Sequence, residues 1–269
     1  KGYETKNFNF DFFSYMTPKI LIVNDDGIYS PGIQALSDAM AKIGKVSIVA
    51  PDKEQSAKSH SITLTNPIRI QSVKLKNGLE GWAVDGTPVD CTKVAIKELL
   101  NEKPDLIISG INLGANLGQN LVYSGTISAA YEGAILGIPS VAISLDTLIV
   151  ESFEASKFVA ISIAKHLLKH NPPKGTMLNV NVPDIAQEDI KGFLITKQGK
   201  QNFTDTFEKR IDPRGHEYYW IKGKMVNNDI SIDYDGEAVA SGYVSITPVH
   251  FNITNELYLN ELKLKLSNG

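Results

Sequence analysis

Hydrophobic and polar positions follow two regimes along this chain. Up to about residue 145, short unbroken apolar runs alternate with segments of helical spacing, whereas beyond Met177 the apolar residues come in brief strand-like pieces between polar connections. The first run, Lys19-Ile20-Leu21-Ile22-Val23, stops abruptly at Asn24-Asp25-Asp26-Gly27. β-Favouring residues cut off by an amide, two carboxylates and a glycine predict a buried parallel strand ending in a functional loop. Residues 31–44 then place Ile33, Leu36, Met40 and Ile43 at helical spacing, with Ser30 as cap, Pro31 in the first turn and Gly44 at the end. Residues 46–50 are a second buried strand. Strand, helix, strand predicts a βαβ unit with a parallel sheet and a right-handed crossover.

Residues 51–60 are polar and aperiodic, which predicts a loop at the carboxyl end of the second strand, beside the acidic loop. Segments 62–75 and 79–84 alternate and meet at Asn77-Gly78, a strong hairpin signal and an antiparallel extension of the sheet. Thr87 caps and Pro88 opens a helix to about residue 101. A buried strand over 105–110 runs into a long Gly- and Asn-rich loop over 111–123. Ser124-Gly125-Thr126 opens a helix that ends near Gly137, and 139–145 and 153–170 supply a further strand and helix. The fold class is therefore α/β, a Rossmann-like three-layer core with a mainly parallel sheet.

In the second regime, 178–182 reads as the last core strand, and 193–196, 218–221 and 244–247 as projecting β arms. Over 256–266 the spacing of Leu257, Leu259, Leu262, Leu264 and Leu266 fits neither a clean helix nor a clean strand. Long arms without a core of their own predict packing on a partner subunit, as a homodimer or homotetramer. The expected organisation is a single domain over 19–269 with C-terminal β arms over about 185–269 used in oligomerisation. Residues 1–18, with Phe8, Phe10, Phe12 and Phe13, read as a native extension or a cloning remnant outside that fold.

Composition narrows the function classes. A formal net charge of -3 over 269 residues, with no clustered Lys/Arg run, argues against a nucleic-acid polymer or an anionic membrane as partner and for a small substrate. The single cysteine, Cys91, excludes an intramolecular disulfide and fits a reducing, cytoplasmic location. No apolar run reaches the ~18 residues of a membrane span, and the N-terminus lacks the basic-then-apolar order of a signal peptide.

The candidate chemistry collects at the carboxyl ends of parallel strands, where open α/β sheets bind ligands. Asp25 and Asp26 offer anionic oxygens, Ser56 a hydroxyl and Asn112 an amide carbonyl, a set suited to one Mg²⁺ or Mn²⁺ ion. Each has a plainer reading: the acidic pair as a turn or helix cap, and Asn112 as a turn residue beside glycines. Ser124, Gly125 and Thr126 at a helix start favour an anion such as phosphate, or form an ordinary cap. Asn116 can donate to a phosphate oxygen or hold its loop closed. The Gly-rich loop is not a Walker A, since no Gly-Lys-Ser/Thr follows, and no Gly-x-Gly-x-x-Gly follows the first strand. His60, in the second loop, is a candidate general acid. His166 and His170 have zinc-like spacing without a third ligand and read as surface residues, and Cys91 as a small core residue.

Taken together, Val23-Asn24-Asp25-Asp26-Gly27 with Ser30-Pro31-Gly32-Ile33, Ala50-Pro51-Asp52 with Gln55-Ser56, Gly86-Thr87-Pro88-Val89-Asp90-Cys91, Ser109-Gly110-Ile111-Asn112, Tyr123-Ser124-Gly125-Thr126 and Asp212-Pro213-Arg214-Gly215 resemble the SurE family of survival proteins. The likeness runs from about Lys19 to Pro248. It implies a metal-dependent phosphatase of nucleoside 5'-monophosphates, often also of 3'-monophosphates and sometimes of short polyphosphate. By the matching motifs it implies Asp25, Asp26, Ser56 and Asn112 as metal ligands, with Asn116, Ser124, Gly125 and Thr126 around the phosphate. It also implies a dimer or tetramer built by exchange of C-terminal arms. Two positions depart from the family pattern: Ala57 stands where Gly is common and Asn120 where an acidic residue is common.

The reaction expected is hydrolysis of a phosphate monoester, with Asp25 and Asp26 as the catalytic residues. Water attack in line is the expected route, and covalent attack by one Asp is its rival. From other classes, a nucleotide-binding protein without turnover is one alternative, and a receiver-like signalling module, which begins with a similar strand and acidic pair, is another, but a receiver needs a Lys before Pro at a strand end. The one Lys-Pro, Lys103-Pro104, precedes a strand. A haloacid-dehalogenase-type phosphatase needs Asp-x-Asp, and here the carboxylates are adjacent.

Overall fold

The computed structural model describes residues 17–267. The four N-terminal phenylalanines lie outside them. Strand β1 (Lys19–Val23) is buried on both faces because its alternate side chains enter different layers. Ile20 and Ile22 pack with helix α1 (Pro31–Met40) and helix α4 (Glu154–Lys169). Leu21 and Val23 pack on the other side with helix α2 (Pro88–Val94) and helix α3 (Gly125–Ile135). This is the three-layer arrangement expected, and the two-faced burial explains why β1 has no polar alternation.

The nine-stranded sheet also contains β2 (Lys45–Pro51), β3 (Ile70–Lys74), β4 (Glu80–Val84), β5 (Leu106–Leu113), β6 (Ser140–Leu145), β7 (Met177–Val182), β8 (Phe193–Ile195) and β11 (Val244–Val249). Its order is β3-β4-β2-β1-β5-β6-β7-β11-β8, with the run from β4 to β7 parallel and β3 and β11 antiparallel to their neighbours β4 and β7. From β1 the chain goes first to β2 on one side and later to β5 on the other. This is the topological switch point at which open α/β sheets form a ligand crevice, outside the carboxyl ends of β1 and β5.

Local signals set several element ends as the sequence predicts. Ser30 Oγ accepts from Ile33 N at 3.4 Å to cap α1, and Thr87 with Asp90 forms a capping box on α2. The Asn77-Gly78 turn closes β3 onto β4 through Leu75 N to Leu79 O at 2.8 Å, with Gly78 at φ 84°.

Four expectations need correction. The strand expected from residue 62 begins only at Ile70. The loop expected over 111–123 is strand to Leu113 and a tight 3₁₀ turn over Gly118–Tyr123. The pieces near 193 and 244 are not arms but β8 and β11, main-sheet strands. Burial of Val244 and Ile246 reports that a strand is inside, not which neighbour it pairs with, and a long connection between paired strands looks like a projection in sequence. Among the described residues only the hairpin of β9 (Asn202–Ile211) and β10 (Glu217–Val226) forms a sheet of its own. Finally, after the short helix α5 (Asp235–Ala240), residues 256–266 are helical, in α6 (Glu256–Ser267), where no residue is buried. Leu, Glu and Lys favour helix even when no apolar face forms.

Candidate functional site

The crevice is floored by Asp25, which is 4% exposed, and by the partly buried Asp26. Asn24 makes the turn that presents them: its Nδ2 donates to Gly27 O at 3.0 Å and to Ser30 Oγ at 2.8 Å. From the facing side comes the start of α3. Thr126 Oγ1 donates to Asp25 Oδ1, and its backbone N–H also points to the Asp25 carboxylate. Gly125 makes this approach possible, because a Cβ there would lie 2.8 Å from Asp25 Cβ and 2.9 Å from its Oδ2.

Burial raises the Asp25 carboxyl above its ordinary range, although the Thr126 hydrogen bond pulls it back. Burial, the Asp25 charge and the Glu54 charge together push Asp26 up to about 7. Asp26 Oδ2 and Asn24 Oδ1 are buried without a hydrogen-bond partner. Adjacent desolvated carboxylates with an orphaned oxygen are a poor arrangement by themselves and a good one around a hard cation.

The second loop lies on the first through Gln55 N to Asp25 O at 2.7 Å and Ile28 N to Pro51 O at 2.8 Å. Ser56 Oγ donates to Glu54 Oε1 at 2.6 Å. The third contributor is aimed by a register irregularity in β5 between Gly110 and Asn112, a device common beside active sites. Asn112 Nδ2 donates to Gly114 O at 2.7 Å, which leaves its Oδ1 as the uncommitted acceptor. No group of three or more His, Cys, Asp or Glu side chains that could hold a metal occurs among the described residues. The oxygens available here are those of two carboxylates, a hydroxyl and an amide, hard donors of the kind a divalent cation takes.

The residues expected around phosphate are more committed than their types suggest. Ser124 Oγ accepts from Ile127 N at 3.1 Å as the cap of α3, and the Thr126 hydroxyl donates to Asp25. Asn116 Nδ2 donates to Ser144 Oγ at 2.8 Å, while its backbone N–H and C=O bond Asn181 and Asn179. Of its two expected roles, these are the bonds of the one that holds the loop closed.

Sequence reasoning missed Glu54, whose charge reaches both aspartates, and Glu132, which is 5% exposed and bonded to His60 and Lys93. Glu132 sits on a helix face among small residues, and its isolation there was the available signal. His166 and His170 are an exposed pair with ring centroids 5.0 Å apart, and Cys91 is buried core. Lys103-Pro104 lies before β5, at the edge of the sheet opposite the crevice, so the receiver reading is not favoured.

Comparison with known proteins agrees with this fold. The family model "Survival protein SurE" matches residues 20–205. A 5'-nucleotidase SurE from Carboxydothermus hydrogenoformans is 47% identical over 91% of this chain and 95% of its own length, and one from Thermosipho africanus is 44% identical over 91% and 96%. A crystal structure of the SurE protein from Aquifex aeolicus is 41% identical, covers 92% of this chain and 99% of its own, and superposes with a TM-score of 0.79. With the family model matching residues 20–205 and a relative 47% identical over most of both lengths, this chain belongs to the SurE survival-protein family.

Proposed function

We propose that this protein is a divalent-metal-dependent phosphatase that hydrolyses nucleoside 5'-monophosphates, and also 3'-monophosphates, to nucleoside and phosphate. The observation that carries the reading is the buried Asp25-Asp26 pair, with an orphaned Asp26 oxygen, facing the start of α3. Relatives named 5'-nucleotidase SurE support the choice of substrate class. One Mg²⁺ or Mn²⁺ ion would be held by Asp25, Asp26, Ser56 and Asn112. Such an ion supplies a Lewis-acid pole for the phosphoryl group.

The chain's own residues do the rest. Thr126 fixes the Asp25 carboxylate in one orientation, and Gly125 lets the positive end of α3 come close enough to favour the phosphate. Ser124 caps that helix end, and Asn116 pins the loop that walls the phosphate. Water attacks phosphorus in line, the ester P–O bond breaks, and the proton passes to the departing nucleoside oxygen.

Release of phosphate from AMP, GMP and their 3' isomers, with Mg²⁺, Mn²⁺ or EDTA, tests the activity. Turnover is expected with either ion and lost with EDTA; no metal-dependent release from any of the four overturns the reading. A substrate chiral at phosphorus is expected to invert, and retention would instead assign attack by an aspartate. The apolar hairpin side chains, Phe207, Trp220 and Ile221 among them, support a homodimer or homotetramer formed through the arm. A lone reduced Cys91 suits the cytoplasm, and among the described residues no helix is long and apolar enough to cross a membrane.

A further inference from the structure

The turn that carries Ser56 holds a backbone that its own residues disfavour. Ala57 and Ser59 stand at φ 58° and 54°, in the left-handed region where a Cβ is crowded. Something must hold such a turn in place, and on the α3 side the holding contacts cluster at Ser59 and His60. Ser59 N donates to Tyr123 O at 3.0 Å, and Ser59 Oγ to Val122 O at 2.7 Å. His60, the next residue, has Nε2 3.0 Å from Glu132 Oε2.

Glu132 is a fixed anchor for that bond. It sits on α3, almost wholly buried, and its other oxygen takes Lys93 Nζ from α2 at 3.0 Å. The His60 hydrogen bond is the largest of the effects that hold the Glu132 carboxyl below its ordinary range. The His60 ring leans edge-on to Tyr131, centroids 5.7 Å apart, with Phe251 at 6.4 Å. Its Nδ1 is buried without a partner. With the hydrogen on Nε2, the ring donates to Glu132 and buries only a bare lone pair at Nδ1. One nitrogen is committed to Glu132 and the other is shut away from solvent, so neither is placed to protonate a leaving group.

We propose that His60 is a positioning residue: bonded to Glu132, it clamps the strained Ser56 turn onto helix α3 and so fixes the spacing between Ser56 and the Asp25-Asp26 pair for a divalent cation. The cation's place rests on the nucleotidase reading, while the clamp itself does not.

The test compares the full chain with His60→Ala and His60→Gln by amide hydrogen exchange over 53–60, by Mn²⁺ titration followed by electron paramagnetic resonance, and by kcat at saturating Mn²⁺ across pH. His60→Ala is expected to speed exchange in the turn and to weaken Mn²⁺ binding about 10- to 100-fold, the scale for losing a group that orients a ligand. It is expected to leave kcat at saturating Mn²⁺ within about threefold and both limbs of the pH profile in place. His60→Gln, which keeps a donor, is expected to recover most of the Mn²⁺ affinity and to serve if the alanine variant fails to fold.

Unchanged exchange and Mn²⁺ affinity in both variants overturn the proposal, as does loss of kcat with loss of one pH limb, which would make His60 a general acid. A wild-type chain that binds no Mn²⁺ overturns the proposal too. A wild-type chain that binds Mn²⁺, loosens as expected in the variants and yet releases no phosphate would sink the nucleotidase reading and leave the clamp standing.

Discussion

Strand β1 and the β9–β10 hairpin are both regular β structure, yet the protein uses them in opposite ways. In β1, Leu21, Ile22 and Val23 have no exposed surface, and β2 and β5 pair on either side. In the hairpin the ladder is longer, from Asn202 opposite Val226 to Ile211 opposite Glu217, but Phe207 and Ile221 are 66% and 64% exposed. Only the hairpin's base is tied down, by Gln119 N to Gln201 O at 2.8 Å and by Asn120 Nδ2 to Met225 Sδ at 3.4 Å. Backbone hydrogen bonds fix which residues face each other; burial on both faces fixes where the strand ends. A two-stranded ribbon alone is marginally stable in water. The proposed chemistry stands on the buried end of β1, and the proposed assembly on the exposed face of the hairpin.

The sharpest way to break that contrast is at the end of β1 itself. Asp25→Asn keeps the shape but removes the charge, and phosphate release is expected to fall ~10²-fold or more with circular dichroism unchanged. Activity near the wild-type level would show that the buried end of β1 is only structural. Gly125→Ala tests the fixed spacing instead. Its Cβ would stand 2.8 Å from Asp25 Cβ and 3.1 Å from Pro88 Cγ, so urea unfolding should show a loss of about 1–3 kcal/mol together with reduced turnover.

A smaller effect is expected one layer away, at Glu132. Its folded carboxyl lies below its ordinary value of 4.5, chiefly through His60. A depressed value contributes stability that is fully present above 4.5 and is lost as pH falls through the folded value. Glu132→Gln should therefore lower Tm more at neutral pH than at about pH 3, and an equal loss at both would remove the charge from the account. The smallest effect belongs to the hairpin. Phe207→Ser with Ile221→Ser should change monomer stability by no more than about 0.5 kcal/mol, while sedimentation reports a smaller assembly. A loss of several times that size without dissociation would mean that the hairpin packs on its own chain.

Much of this was legible in the residues. The apolar run ending at Asp25, the caps at Ser30 and Thr87 and the Asn77-Gly78 turn are short-range signals, and the structure follows each of them. Membership of sheet or arm was not legible, because β8 and β11 join strands distant in sequence. Helix α6 was missed because its apolar residues form no face. At the site, Ala57 was noticed only as a departure from glycine. The reason a glycine suits the position, a φ of 58°, exists only in the folded turn.

By itself, then, the sequence determined that the first strands and helices are buried, where β1 and β2 stop and which oxygen-bearing residues follow them. Burial pattern and capping chemistry act over a few residues and are written into composition and spacing. Tertiary structure alone decided that α3 begins against Asp25, that the Thr126 hydroxyl is spent there, and that His60 meets Glu132 72 residues away. Those contacts join loops to a helix distant from them in sequence. They depend on how closely two backbones approach, and no local pattern records that distance.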